Sequence, residues 1–447
     1  MFHYQRPQFE SMIDDVLSHA RSIGATDVAV DVSESGGLGV NVRRGKVETI
    51  ERNRDKGLGV TVYVGQRRGH ASTSDFSPSA IRETVQAAFD IARFTAEDGF
   101  AGLPEPELLA TGEPPDLDLF HPWSLTADQA VELAQRMEAA AFATSPMVRN
   151  SEGASVSVHH GQFLSANSRG FRGGYPHSRH TIGCVPIAGK GRQMQRDDWF
   201  SSDRDPSRLA DPERLGRYAA ERALSRLNAR RLKTARVPVL FESPLACGLM
   251  GHFTQAASGG ALYRRTSFLL DALGQSIFPD HVDIVEDPTR PGLMGSAPFD
   301  DEGVATRQRE VVKDGVLQGY FLSCYSARKL GMTTTGNAGG AHNLELRSRL
   351  SSGRDDLPAM LRKLGTGLLV TELLGQGVNY VTGDYSRGAS GFWVENGEIA
   401  YPVEEITIAG NLRDMFRGIV AVGDDVLVRG SKRTGSILVE DMAVAGT

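Results

Sequence analysis

One helix of the sequence carries a histidine in a setting where a metallohydrolase would bind its ion. Residues 243–257 follow a strand-like run, start with a good N-cap residue at Ser243 and repeat apolar residues at helical spacing. Inside this apolar helix lies one imidazole, His252. A metallohydrolase would carry a His-Glu pair about one turn earlier, as second ligand and general base. The sequence has Cys247-Gly248 there, so the first question is whether this helix can hold a metal.

Helical spacing argues against a metal ion shared by the two candidate ligands. Cys247 lies five residues before His252, which puts the side chains roughly 140° apart around a regular helix. They could share an ion only if the helix bent near Gly248 or Gly251, and a metal site needs several converging ligands. We therefore expect His252 to be a packed or hydrogen-bonded residue beside a buried cysteine, and we expect this chain to bind no metal.

Two further segments have residue types that could bind a ligand. The stretch from Gly336 to His342 could hold an anion through backbone amides, but it lacks a Walker lysine, and tight turns near a crowded backbone are the favoured interpretation. A predicted loop at 384–391 begins with four polar residues that could orient a peptide, and its serine could be a nucleophile beside a base. Alternatively, these residues only stabilise the loop. The candidate contacts are Asp384, Tyr385, Ser386 and Arg387.

The bulk composition excludes several classes of protein. A net charge of −6 and a pI near 6 argue against a dedicated nucleic-acid surface. No apolar run is long enough to cross a bilayer, and the first residues lack the apolar core of a signal peptide. The three cysteines are far apart and form no disulfide or metal-binding pattern. We therefore expect a cytoplasmic protein with neither a nucleic-acid nor a membrane partner.

The order of predicted elements favours an α+β protein with an internal duplication. A helix, a series of short strands and a second helix occur twice, so residues 1–230 predict a duplicated N-terminal domain. A chance match between two common meanders is the alternative. Residues 231–447 predict a β-rich C-terminal domain that carries the helix of His252. The strands predicted in the first meander are 28–32, 38–42, 47–51, 58–64 and 70–74, with a turn at Asp55-Lys56-Gly57.

Several longer strings of the sequence resemble those of one family, the PmbA/TldE proteins, once called modulators of DNA gyrase. The resemblance covers essentially the whole chain, and the strings are long enough to be specific. One of them runs from Thr382 to Gly397 and contains the four candidate contact residues. The others are Gly365–Glu372, Gly375-Gln376-Gly377, Glu405–Leu412, Gly57–Tyr63, Asp116–Pro122 and Tyr325–Gly331.

The resemblance implies one half of the heterodimeric TldD–TldE metalloprotease, a complex implicated in antitoxin turnover and microcin maturation. In TldD the matching helix carries His-Glu-x-x-x-His, and a cysteine near the C-terminus is the third zinc ligand. This chain keeps only the last histidine, as His252, while Cys247 and Gly248 replace the first His and the Glu. The region of the late cysteine is Lys432-Arg433-Thr434-Gly435. The resemblance therefore implies a TldE-type subunit with no zinc and no catalytic residue of its own.

Three hypotheses about function stay open at this point. In the favoured one, a TldD-type partner holds Zn²⁺ and hydrolyses extended or unfolded peptides, while this chain encloses the chamber and grips substrate near 384–391. In the second, the chain is an adaptor or regulator that acts without a protease partner. In the third, it is an autonomous peptidase built around His252 and Cys247. A homodimer is a further option when the partner is absent.

Overall fold

The computed structural model describes residues 2–446, which form two compact units. Among these residues, one unit consists of 2–224 with 291–306, and the other of 225–290 with 307–446. The predicted α+β class is confirmed, with a duplicated N-terminal part and a strand-rich C-terminal part. No helix within the described residues is both long and apolar enough to span a membrane. The domain boundary predicted at residue 230 stays a prediction.

Two copies of one helix–meander–helix arrangement build the first unit. Its elements are α1 (Arg6–Ser22), β1 (Asp27–Arg43), β2 (Lys46–Val64), β3 (Arg67–Thr73), α2 (Pro78–Phe94), α3 (Ala127–Thr144), β4 (Val148–Asn167), β5 (Arg172–Gly173), β6 (Pro176–Ala188), β7 (Gln195–Arg196), β8 (Trp199–Asp203) and α4 (Pro212–Ser225). The strands form one sheet of order β3-β2-β1-β4-β6, and β8 pairs with β6. The first strands of the two copies, β1 and β4, therefore pair antiparallel at the centre of the sheet.

Two strands of the first copy are longer than the sequence predicted. β1 continues through the gap between two predicted strands. β2 continues through Asp55-Lys56-Gly57, so the turn predicted there is wrong. The gap in β1 contains Gly36 and Gly37, which pair in register with both neighbouring strands. A Cβ at Gly37 would lie 2.7 Å from the carbonyl oxygen of Val158, so this glycine marks a close approach of two strands.

The helix-facing side of β1 is apolar at both ends and polar in the middle. Buried residues at its start pack with α1 and α2, and those at its end pack with α3, as two separate cores. Glu34 and Gly36 stand between the two cores. Because side chains alternate along a strand, all these residues share one face. The two apolar sets are Val28, Val30 and Val32, and Leu38, Val40 and Val42.

A segment from the second half of the chain belongs to the first unit. Within residues 291–306, Phe299 packs on Phe171 with ring centroids 4.9 Å apart. Val304 of the same segment pairs with Leu109 in an isolated bridge. The sequence has no local sign of this excursion, because contacts between distant aromatic residues are set by the fold.

The second unit contains two sheets with helices between and beside them. Its elements are β9 (Ala235–Phe241), α5 (Ser243–Ala256), α6 (Gly259–Tyr263), β10 (Val282–Glu286), β11 (Arg309–Lys313), β12 (Val316–Leu317), α7 (Cys324–Leu330), β13 (Leu344–Ser348), α8 (Leu357–Leu364), β14 (Gly367–Leu374), β15 (Asp384–Glu395), β16 (Glu398–Asn411), α9 (Leu412–Arg417), β17 (Ile419–Val422), β18 (Leu427–Arg429), β19 (Lys432–Thr434) and β20 (Ile437–Ala445). The sheets have the orders β12-β11-β10-β13-β19-β18 and β16-β15-β14-β9-β20-β17. Leu249, Met250 and Phe253 of α5 lie in a core that contains residues of both sheets.

Candidate functional site

The helix α5 is held against the segment where the resemblance places the late cysteine of TldD. Glu242 is the N-cap and Ser243 is the first helical residue, so the N-cap role predicted for Ser243 is wrong by one position. The Ser243 hydroxyl instead donates to the carbonyl oxygen of Thr434 in β19, at 2.8 Å. This buried bond brings the start of α5 next to the Lys432–Thr434 strand.

The thiol of Cys247 is directed at the same segment. Its Sγ lies 3.8 Å from the carbonyl oxygen of Leu427 and 3.8 Å from that of Lys432. Burial raises the pKa of this thiol. A buried thiol that donates to carbonyl groups is not the thiolate that binds metal ions. Cys247 is therefore packed as a structural residue.

Neither the helix position that matches the glutamate nor the segment that matches the late cysteine carries a metal ligand. Gly248 is exposed, and a Cβ placed there would meet no atom within 4 Å. Lys432 lies along the helix, with its Cε 3.7 Å from the position that a Cβ would take at Gly251. An ammonium group beside the helix opposes the binding of a dication. Within residues 2–446, no group of three or more His, Cys, Asp and Glu side chains could hold a metal ion. The residues present do not fit the zinc of a TldD-type helix.

The side chain of His252, also on α5, contacts residues of the loop after β14 and of β15. Its Nδ1 lies 2.8 Å from the Oη of Tyr380, in the loop between β14 and β15. Burial, with a smaller effect of the Arg387 charge, lowers the pKa of His252 to about 4. The imidazole is therefore neutral at neutral pH, so that the phenol of Tyr380 can donate to it. The partners of the two side chains differ, since Cys247 faces the carbonyl groups of Leu427 and Lys432 while His252 faces Tyr380.

Two of the predicted contact residues lie beside His252. The ring of Tyr385 packs edge-on against the imidazole, with centroids 5.7 Å apart. Tyr385 is 1% exposed, and its hydroxyl has no hydrogen-bond partner among residues 2–446. Burial raises the pKa of this phenol to about 12. The Nε of Arg387 is likewise buried without a partner in the described part of the chain. His252, Tyr380, Tyr385 and Arg387 therefore form one cluster, which we call the His252 cluster.

The other two predicted contact residues lie apart from the His252 cluster. Asp384 and Ser386 are exposed, and Asp384 accepts hydrogen bonds from Thr382 Oγ1 at 2.6 Å and Asn411 Nδ2 at 3.2 Å. All four residues belong to the strand β15, so the loop predicted at 384–391 is wrong. Alternation along this strand explains the split, because Tyr385 and Arg387 point to one face and their neighbours to the other.

The main chain at the start of β15 is already paired on both sides. Residues 384–387 pair with β16 on one side. On the other side, the N–H of Ser386 donates to the Gly377 carbonyl at 2.7 Å, and the N–H of Asn379 donates to the Asp384 carbonyl at 2.8 Å. A bound peptide could therefore contact this segment only through side chains.

The glycine-rich stretch Gly336–His342 surrounds an acidic group of the chain itself. The carboxylate of Glu286 accepts bonds from Asn337 Nδ2 and from the backbone N–H of His342, both at 2.8 Å. Arg309 Nε donates to the same carboxylate at 2.6 Å, and Glu286 is 1% exposed. The anion that this stretch could hold is thus an internal carboxylate of the chain.

Sequence reasoning missed Tyr380 and Glu286, the partners of His252 and of the glycine-rich stretch. Tyr380 lies 128 positions from His252, and Glu286 lies 51 positions from Asn337. Neither residue has a local pattern that marks it, because a single tyrosine or glutamate is compatible with any exposed loop or strand. Only the fold brings each of them to its partner.

The sequence matches the domain models of one protein family. The domain models of the PmbA/TldA metallopeptidases match in series: domain 1 at residues 28–92, the central domain at 120–227 and the C-terminal domain at 234–446. The chain is 48% identical over 443 residues to Metalloprotease PmbA of Escherichia coli O157:H7, covering 99% of this chain and 97% of that protein. The chain therefore belongs to the PmbA/TldD metallopeptidase family, and the predicted family is confirmed.

Further similar proteins and solved structures show how far the likeness extends. A solved structure described as a DNA gyrase modulator of Bacteroides thetaiotaomicron has a TM-score of 0.92 and 25% identity, covering 98% of this chain and 99% of that one. TldE from Thermococcus kodakarensis, with a TM-score of 0.85, 21% identity and coverage of 97% and 100%, shares the fold. A protein named as a Metalloprotease TldD homolog, from Haemophilus influenzae, is 23% identical over 436 residues, 92% of this chain and 88% of that one.

Proposed function

We propose that this chain is the TldE-type subunit of a cytoplasmic heterodimeric metalloprotease, in which a TldD-type partner holds the Zn²⁺. The observation that carries the proposal is the state of two helix positions and one strand segment, where the resemblance places two zinc ligands and the general base of TldD. Cys247 is a buried thiol bonded to carbonyls, Gly248 has no side chain, and Lys432 places an amine beside the helix. Such a subunit has no metal and no catalytic residue, so hydrolysis needs the partner.

Within the complex, we propose that this chain binds and encloses an extended or unfolded peptide. The resemblance implies antitoxins and microcin precursors as substrates of the complex. The exposed side chains of Asp384 and Ser386 remain candidate contacts with a partner or a peptide. Tyr385 and Arg387 support them from the buried side of β15. The main chain of this segment takes no part, because both of its edges are already paired.

Co-expression with the TldD-type protein of the same organism tests this proposal. Size-exclusion chromatography, metal analysis and a peptidase assay should be made on each chain and on the mixture. We expect a stable heterodimer, zinc in the TldD-type chain, and hydrolysis of an unfolded peptide by the complex. This chain alone should contain less than about 0.1 zinc per molecule, since it lacks the ligands of a tetrahedral site. Stoichiometric zinc together with peptidase activity in the isolated chain would overturn the proposal.

The alternative is an adaptor or regulator that acts without a protease. It predicts that no TldD-type protein co-purifies with this chain at native expression level and that deletion of the TldD-type gene leaves its phenotype unchanged. A homodimer of the isolated chain would be compatible with either function. The same chromatography therefore has to be made with the partner present and absent.

A further inference from the structure

The first unit contains a large cavity that the site described above does not use. It has a volume of about 880 Å³ and lies over the middle of β1. Its floor contains Glu34 and Gly36, which separate the two apolar cores of the sheet. A Cβ at Gly36 would lie 3.2 Å from Nε2 of His160, which also lines the cavity. The cavity therefore lies where the strand has no side chain at Gly36 and a carboxylate in place of an apolar group at Glu34.

One wall of this cavity is a strand with a free edge. β3 pairs with β2 only from Leu58 to Val64, so residues 46–57 have β1 on one side and no strand on the other within the described chain. The residues from 46 to 56 are exposed on both faces. An unpaired strand edge offers its N–H and C=O groups to an added strand.

The charges on this strand point to the kind of ligand. Arg52 and Arg54 line the cavity, and neither guanidinium makes an ion pair or hydrogen bond to any of residues 2–446. Lys56 is engaged, since its Nζ donates to Tyr4 Oη at 3.0 Å. The Glu34 carboxylate is engaged as well, because it accepts bonds from the backbone of residues 3 and 4 and from Gln162. Asp55 is the other acidic group of the lining.

The spacing of the two free arginines matches a strand. They are two positions apart, so both point to the same face, roughly 7 Å from each other. A peptide paired with β2 would present carboxylates at alternate positions with the same repeat. Arginine binds a carboxylate by two parallel hydrogen bonds, which gives geometric selection in addition to charge.

We propose that an extended acidic peptide segment binds here, adding a strand to residues 46–57 of β2 and placing alternate carboxylates against Arg52 and Arg54. The peptide nature of the ligand rests on the proposed function, whereas the acidic character and the strand register come from the site. This site lies in the first unit and uses no residue of the His252 cluster.

Fluorescence anisotropy on the full chain without any partner tests the proposal. The probe is a labelled peptide of four Thr-Glu repeats, and its controls are a Thr-Lys peptide, a scrambled peptide of the same composition, and a Thr-Glu peptide N-methylated at alternate residues. We expect the Thr-Glu peptide to bind at least about tenfold more tightly than each control, with an affinity that falls as salt rises.

Three variants locate the binding. Arg52→Ala/Arg54→Ala should weaken the Thr-Glu peptide by about tenfold or more, since two charge-assisted contacts are lost. Arg21→Ala/Arg82→Ala, which removes two exposed arginines of α1 and α2, should leave binding unchanged. Gly36→Val should also weaken binding, because it fills the cavity without changing charge. Circular dichroism and the thermal midpoint identify any variant that does not fold.

Several results would overturn the proposal. One is equal binding of Thr-Glu and Thr-Lys peptides, and another is unchanged binding by folded Arg52→Ala/Arg54→Ala. A third is a concentration-dependent dimer that this double variant dissociates, since a second copy would then occupy the edge. The assay contains no TldD-type protein, so its failure leaves the proposed heterodimer intact. Conversely, the absence of a heterodimer would not alter peptide binding by this chain.

Discussion

Two regions of the molecule combine glycines with charged groups and differ in where the charges find partners. In the stretch Gly336–His342, the Glu286 carboxylate is enclosed and bonded to Arg309, Asn337 and a backbone amide. At Gly36, the sheet leaves a cavity, and Arg52 and Arg54 find no partner within residues 2–446. The comparison separates charges that hold the chain together from charges that are free to bind a ligand.

Removal of Glu286 should strongly destabilise the chain, because this carboxylate holds the stretch Gly336–His342 in place. Glu286→Ala removes the acceptor of Arg309 Nε and of the His342 N–H and one of the two acceptors of Asn337 Nδ2, and it leaves the Arg309 charge without its carboxylate, so we expect a loss of about 3–5 kcal/mol in the free energy of unfolding. Arg52→Ala/Arg54→Ala should change it by less than about 0.5 kcal/mol, because exposed groups without partners contribute little. Urea unfolding followed by circular dichroism measures both. Similar losses in the two variants would contradict the distinction between the regions.

The buried phenol of Tyr385 should act through its ring and not through its hydroxyl. Tyr385→Ala removes a side chain that is 1% exposed, and we expect a loss of about 3–5 kcal/mol in unfolding free energy. Tyr385→Phe should be neutral or slightly stabilising, since the hydroxyl has no partner among the described residues. A large loss in Tyr385→Phe, measured by the same urea titration, would show that the hydroxyl is bonded in solution.

His252 should make stability depend on pH. Its folded-state pKa of about 4 lies below the ordinary 6.5, so the unfolded chain takes up the proton first as the pH falls. The stability contributed by neutral His252 is therefore complete above pH 6.5 and is lost as the pH falls towards 4. Between pH 7 and pH 5 this loss amounts to at most about 2 kcal/mol.

The variant His252→Asn isolates this effect. It removes the titrating group, so its unfolding free energy should fall less between pH 7 and pH 5 than that of the unsubstituted chain, by at most about 2 kcal/mol. His177, whose pKa burial also lowers to about 4, is present in both proteins and cancels in the difference. Parallel pH dependence of the two proteins would show that His252 is not held neutral by burial.

Gly248 should accept a larger side chain with little effect. Nothing lies within 4 Å of a Cβ at this position, so Gly248→Glu should raise the unfolding free energy by about 0.5 kcal/mol through helix propensity. The variant should gain no zinc by atomic emission, because the glutamate of the motif is the general base and two of the three zinc ligands are still absent. Gly259→Ala is the matched control, since its Cβ would approach Ser326 Oγ closely and should destabilise the chain.

The sequence predicted the α+β class, the duplication and the family, and it was less successful on local structure. Residues 384–391 were predicted as a loop because polar residues and glycines cluster there, yet they form the start of β15. The turn predicted at Asp55-Lys56-Gly57 is wrong for the same reason, as these residues continue β2. In both cases pairing with a neighbouring strand outweighs the local preference of the residues.

The sequence by itself determined that α5 lacks one ligand and the general base of a TldD-type metal helix, and that the segment 432–435 lacks the late cysteine, because ligand types and helical spacing are local properties. The separation of Cys247 from His252 follows from the same spacing. Only the tertiary structure decided what the remaining groups contact: Tyr380 at His252, Glu286 in the glycine-rich stretch, and an open cavity beside Arg52 and Arg54. Such contacts join residues far apart in the chain, so burial and partnership become defined only when the sheets are assembled.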